Sequence, residues 1–204
     1  MKNNQIQTTT DNLPSVKITK TKFLETYKPS NAFRLFNKVT TVKKAIALNG
    51  NAPSVGDILR AYGDSFIEAY IKIWLINLND SLGLKRPLTE SQMDETAMTI
   101  VEDYKNLNLS DINLVFKGMK TGEFGEYYES LNMAKVIGIF KEYFENRMTV
   151  AANMSLDNHL AGKQEGERSK ERAQNKMDSA EKRFKDDKHE EDLQKMVDKF
   201  KVKD

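Results

Sequence analysis

The chain contains no cysteine. That absence removes disulfides, thiolate metal ligands and thiol nucleophiles together, and it suits a reducing compartment. Histidine is nearly as scarce. His159 and His189 lie thirty residues apart in the polar C-terminal third, without the neighbouring carboxylates that would hold an imidazole ligand set in fixed geometry. No metal and no cofactor is therefore expected. Neither G-x-x-x-x-G-K-[ST] nor G-x-G-x-x-G occurs, so the glycine loops that cradle nucleotide phosphates are missing. With no nucleophile, metal or activated pair in view, the chain reads as a non-enzyme. Nor does any stretch alternate apolar and polar residues as a half-buried strand would.

Long hydrophobic runs are lacking too. The most apolar window, Phe66 to Leu82, is broken by Glu68, Lys72, Asn77, Asn79 and Asp80, which makes it too polar and too short to span a bilayer. Residues 1–12 are rich in Asn, Gln and Thr and hold no apolar stretch of signal-peptide length. The expectation is a cytoplasmic protein without membrane contact. A formal net charge of +2 supplies no global pull toward nucleic acid, so any such contact must be local.

What is present is helical. The 204 residues suffice for one domain with extensions. Residues 1–22 hold four lysines against Asp11 alone and read as a flexible, mildly basic arm. Residues 23–151 read as an all-α bundle of six or seven helices, and residues 152–204 as a linker and a charged amphipathic tail, helical or disordered.

Start and stop signals mark the helices. Ser30 after Pro29 is a candidate cap for a short helix, and Asn49-Gly50 closes another over Val42 to Leu48. Ser54, with Asp57 in the first turn, opens a third that Gly63 ends. Asp64 is expected to cap the next, which runs to Leu82 and is apolar nearly all round, the signature of a helix at the centre of its domain. Glu68 and Lys72, four apart, mark its wet strip. Thr89-Glu90-Ser91-Gln92 is a capping box before an amphipathic helix through Leu107. Ser110 is the expected cap of a helix ending at Gly122, and Asn132 of one whose apolar period lasts to about Ala151.

From Gly162 onward 25 of 43 residues are charged, 13 basic and 12 acidic, a composition that cannot fold on its own. Yet Ala173, Met177, Ala180 and Phe184 recur at four, three and four, the seam of a short coiled coil, and Leu193, Met196, Val197 and Phe200 make a second patch. Both a solvated or disordered helix and a segment that binds a partner protein, or another copy, fit this pattern.

Other chemistry is weaker. Asp94, Glu95, Glu102 and Asp103 cluster on one helix opposite its apolar stripe, as a solvated face would. In Phe116–Tyr128, glycines accompany Lys117, Lys120 and aromatic rings, a pattern compatible with phosphate approach and base stacking as well as with a helix stop and core packing. Lys117 and Lys120, with Lys182, Arg183 and Lys185 in the tail, are the candidate nucleic-acid contacts.

Tyr62-Gly63 with Phe66, the Leu88–Gln92 box, Tyr104, Leu107, Ser110, Asp111, Phe116-Lys117, Lys120, Gly122, Gly125, Tyr128, Tyr143 and Arg147 together resemble a family of small helical proteins of unknown function encoded by bacteriophages and mobile elements. Where that family often carries a basic residue after the second glycine, this chain has Glu126. The resemblance implies a phage or mobile-element setting and no catalytic residues. Two functions follow as expectations. One is a replication-associated adaptor, similar to helicase loaders in its head-and-tail layout. The other is a virion component such as a scaffolding, cargo or capsid-associated protein.

Overall fold

The computed structural model describes residues 18–125 and 130–201, with side chains left aside at 181, 184–187, 189 and 197–201. Eight helices follow one another: α1 (Lys20–Tyr27), α2 (Pro29–Leu35), α3 (Val42–Ile46), α4 (Val55–Tyr62), α5 (Asp64–Leu82), α6 (Glu90–Asp103), α7 (Leu109–Thr121) and α8 (Met133–Lys201). Among the described residues the only strand-like pairings are isolated bridges, such as Ser54 with Asn108, so the protein is all-α. The chain divides into two compact units, Met1–Ala152 and Asn153–Asp204.

Local chemistry explains the helix starts. Ser54 and Asp57 cap α4 reciprocally, with Asp57 N donating to Ser54 Oγ at 3.0 Å and Ser54 N to Asp57 Oδ2 at 2.9 Å. Thr89 and Gln92 do the same for α6. Asn132 Oδ1 accepts from Lys135 N at 3.0 Å to open α8. Gly83 and Gly122 end α5 and α7 in the left-handed conformation, at φ of 57° and 77°, where a Cβ would be strained.

Four expectations are corrected. α1 begins at Lys20 with Thr19 accepting from Lys22 N, and the Ile18 carbonyl accepts from Tyr62 Oη at 2.5 Å, so residues 18–22 belong to the fold rather than to a free arm; residues 1–17 lie outside the described ones. Ser30 sits inside α2, because Pro29 takes the first helical position where its missing N–H costs nothing. Gly63, not Asp64, precedes α5, with no side-chain cap bond. The strip of Glu68 and Lys72 is half-buried rather than fully wet, because Lys72 reaches α6, pairing with Asp94 at 2.7 Å and Glu90 at 3.1 Å.

The core is a chain of rings. Phe23 of α1 meets Tyr62, Phe66 and Tyr70 edge-on. Trp74 lies 5.5 Å from Phe33 and 5.1 Å from Phe116, and Phe116 lies 5.8 Å from Phe140 on α8. α5 thus touches the rings of α1, α2 and α7, which is why its apolar surface spreads around the helix. It is not fully enclosed: Ile73 and Ile76 are exposed. Asn79 secures the loop after α5 with its side-chain amide, donating to the Leu88 carbonyl at 2.9 Å and accepting from Leu88 N at 3.2 Å.

Trp74 is fully buried, with its indole ring against Tyr70, whose hydroxyl it influences through a side-chain hydrogen bond. Trp74→Ala is expected to lower stability by about 3–5 kcal/mol through the cavity it leaves. Trp74→Phe should lose less, because a ring still fills most of the space. Denaturant midpoints of the two variants test this; a loss under ~1 kcal/mol for the alanine variant would make α5 peripheral.

Candidate interaction surfaces and a buried polar clasp

Polar side chains converge at the start of α7. Asn108, not Ser110, is the cap: its Oδ1 accepts from Ser110 N at 2.9 Å and Asp111 N at 3.1 Å, while Asp111 Oδ2 accepts from Asn108 N at 2.9 Å. Ser110 instead donates its hydroxyl to Asn108 Oδ1 at 2.6 Å. Unlike the other two boxes, this one is buried, with Asp111 wholly enclosed.

A buried carboxylate is costly unless charge and hydrogen bonds meet it. Here α8 supplies both. Arg147 Nε donates to Asp111 Oδ2 at 2.9 Å and Tyr143 Oη to Oδ1 at 2.7 Å. Tyr143 and Arg147 are four apart and so share one helix face. Arg147 Nη2 also donates to Asn49 Oδ1 at 3.0 Å, and the same oxygen accepts from Asn108 Nδ2 at 2.9 Å. Asn108 Nδ2 further reaches the Ala45 carbonyl at 3.0 Å. One clasp therefore ties the end of α3, the start of α7 and the first turns of α8.

Burial raises the Tyr143 hydroxyl well above the ordinary tyrosine value, with the Asp111 charge and the hydrogen bond to it adding in the same direction. Burial likewise raises Tyr70, whose hydroxyl donates to the Tyr27 carbonyl at 2.7 Å. Beside Tyr143 an open cleft of about 210 Å³ has the carboxylates of Glu123 and Glu142 and the hydroxyls of Thr40 and Thr41 in its lining.

The candidate cations of α7 divide. Lys117 is exposed. Lys120 is half-buried: its ammonium donates to Asn77 Oδ1 and lies 4.5 Å from the centre of the Phe33 ring. Burial lowers its pKa, with Asp80 opposing. The glycines and rings around them have packing roles. Phe116 is core, Gly122 is a helix stop, and Phe124 fills the space over Gly118, where an added Cβ would come 2.5 Å from the ring. Tyr128 lies outside the described residues. On α6, Glu95, Glu102 and Asp103 are exposed, and Asp94 serves the ion pair with Lys72. Among the described residues no group of three His, Cys, Asp or Glu is placed to hold a metal ion, and no helix is long and apolar enough to cross a membrane.

In the second unit, helix α8 runs on through Lys201. Ala173, Met177 and Ala180 share one face and are exposed, Met177 at 66%. Leu193 and Met196 are exposed at 50% and 62%. Lys182 and Arg183 are exposed as well. The side chains of Phe184, Lys185, Val197 and Phe200 lie outside the described residues. Leu156 and Leu160, in the linker stretch, are exposed apolar residues on the same helix.

Among the described residues, fold and surfaces define an all-α protein with exposed apolar side chains along its C-terminal helix. Compared with protein-family models, curated proteins and solved structures, the chain matches none.

Breaking the clasp from one side should be costly. Arg147→Ala is expected to destabilise by about 3–5 kcal/mol, since Asp111 is left charged and buried. Tyr143→Phe should cost about 1–3 kcal/mol, since it leaves one carboxylate oxygen without its donor. Denaturant unfolding of the two variants separates the effects, and a neutral Arg147→Ala would refute the clasp. The pH dependence has a definite sign. Tyr70 and Tyr143 are raised in the folded state, so their contribution is complete below the ordinary value of 10.0 and declines as pH rises past it. Stability measured from pH 8 to about 11 should fall on the alkaline side, and less steeply in Tyr143→Phe.

Proposed function

We propose that the protein is a non-enzymatic adaptor of a bacteriophage or mobile element, acting in the host cytoplasm and associated with replication in the manner of a helicase loader. It engages a protein partner through apolar side chains spaced along its charged C-terminal helix. The observation that carries this reading is the exposure of Met177, Leu193 and Met196 on a helix otherwise covered by charges of both signs. Medium-sized flexible apolar side chains on an accessible helix suit a partner's groove. The near balance of basic and acidic residues favours a protein over DNA, because counterion release needs a cationic surface. In the first unit, Lys120 is already engaged by Asn77 and Phe33, which leaves Lys117 a poor phosphate track by itself. The phage setting rests on the resemblance alone.

Photo-crosslinking from position 193 of the full chain, in the cells that produce it, tests the reading. The expected result is one defined protein adduct that disappears with Met196→Glu. Absence of any adduct would overturn the adaptor role, and abundant peptides of the chain in purified particles would replace it with a virion component. A fluorescence-anisotropy titration with DNA at low and moderate salt should show weak, salt-sensitive binding at most.

A further inference from the structure

The seam in the tail extends further than its apolar residues suggest. With Met177 at position a of a heptad and Ala173 and Ala180 at d, Leu156 falls three whole heptads earlier, again at a. Between them, a is occupied by Lys163 and Lys170 and d by His159 and Gly166. Long side chains thus hold the a column throughout, while glycine or alanine hold three of four d positions. These residues are exposed along one face of α8, Leu156 at 58% and Met177 at 66%.

The asymmetry of the two columns discriminates between ways of pairing two such helices. A parallel, in-register pair stacks like on like: Lys163 on Lys163, Lys170 on Lys170, and Gly166 and the alanines on themselves. That arrangement combines repulsion with voids. An antiparallel pair places a against d. With the two-fold axis at Arg168, Leu156 of one copy faces Ala180 of the other, and His159 faces Met177. Lys163 covers Ala173, and Lys170 covers Gly166. Nearly every layer then joins a long side chain to a short one, and each lysine stem lies over a small residue while its ammonium reaches water. The flanking charges agree. Lys176 comes opposite Gly162, with no cation facing it. The one like-charged approach, Glu167 to Glu167 at the axis, is flanked by Lys170 from both copies.

We infer that residues 156–180 of α8 are a self-association segment whose occupant is a second copy of this chain, paired antiparallel about Arg168. This rests on reading the tail as an interaction segment, and it narrows the partner-facing surface to the patch at Leu193 and Met196.

The absence of cysteine makes the test clean, since any introduced thiol is unique. Full-length Leu156→Cys and Ala180→Cys proteins are oxidised separately and as a mixture. The mixture is expected to give a disulfide-linked dimer and each protein alone essentially none. Sedimentation of the unmodified chain should show a concentration-dependent dimer, weakened roughly tenfold or more by Met177→Lys. Self-linking of the single variants would establish a parallel pair and overturn the inference. So would a chain that stays monomeric at several hundred micromolar, or a dimer indifferent to Met177→Lys. These outcomes are independent of crosslinking from position 193, so self-association and partner binding fail separately.

Discussion

The first unit turns on one carboxylate. Asp111 is wholly buried at the start of α7, where the helix dipole favours negative charge but where solvent cannot. Its two oxygens accept from Asn108 N, Arg147 Nε and Tyr143 Oη, and those donors come from different parts of the chain. Meeting that demand fixes the rotation and register of the first turns of α8 against α7. Through Asn49 and Asn108 it also fixes the end of α3. Apolar packing alone is less exacting, because rings such as Phe116 and Phe140 tolerate sliding that a directional, charged hydrogen bond does not.

The second unit works by the opposite rule. Among its described side chains nearly all are exposed, and local bonds such as Gln174 Nε2 to Asp178 Oδ1 at 2.8 Å support single turns only. A helix of this kind gains most of its stability by covering its apolar face. That is the physical reason to read Met177, Leu193 and Met196 as places for another molecule. One unit is thus held by buried polar geometry, while the described side chains of the other are largely exposed.

Much of the fold was legible because it depends on neighbours in sequence. The Ser54 cap, the Thr89 capping box, the stops at Gly63 and Gly122, and the Asn132 start all involve contacts within a few residues. The errors share a cause. Ser110 before an apolar run gives the local signal of a cap, yet Asn108 and Asp111 carry the spacing of the capping box that forms. Glu68 and Lys72 mark a wet strip on α5 by spacing, but α6 covers it in part by bringing two carboxylates to Lys72. The acidic face of α6 and the tail seam were visible from spacing alone, whereas Leu156 and Leu160 lie in the linker stretch.

The sequence by itself determined that the chain is helical, where several helices start and stop, and that its C-terminal third is charge-balanced with an interrupted apolar pattern. These are properties of periodicity and of hydrogen bonds that close within one turn. Only the tertiary structure decided that Asp111, Tyr143, Arg147, Asn49 and Asn108 form one group, and that Lys120 turns inward to Asn77 and Phe33. Those partners are separated by tens of residues, and nothing local distinguishes a buried carboxylate from an exposed one until the helices around it have packed.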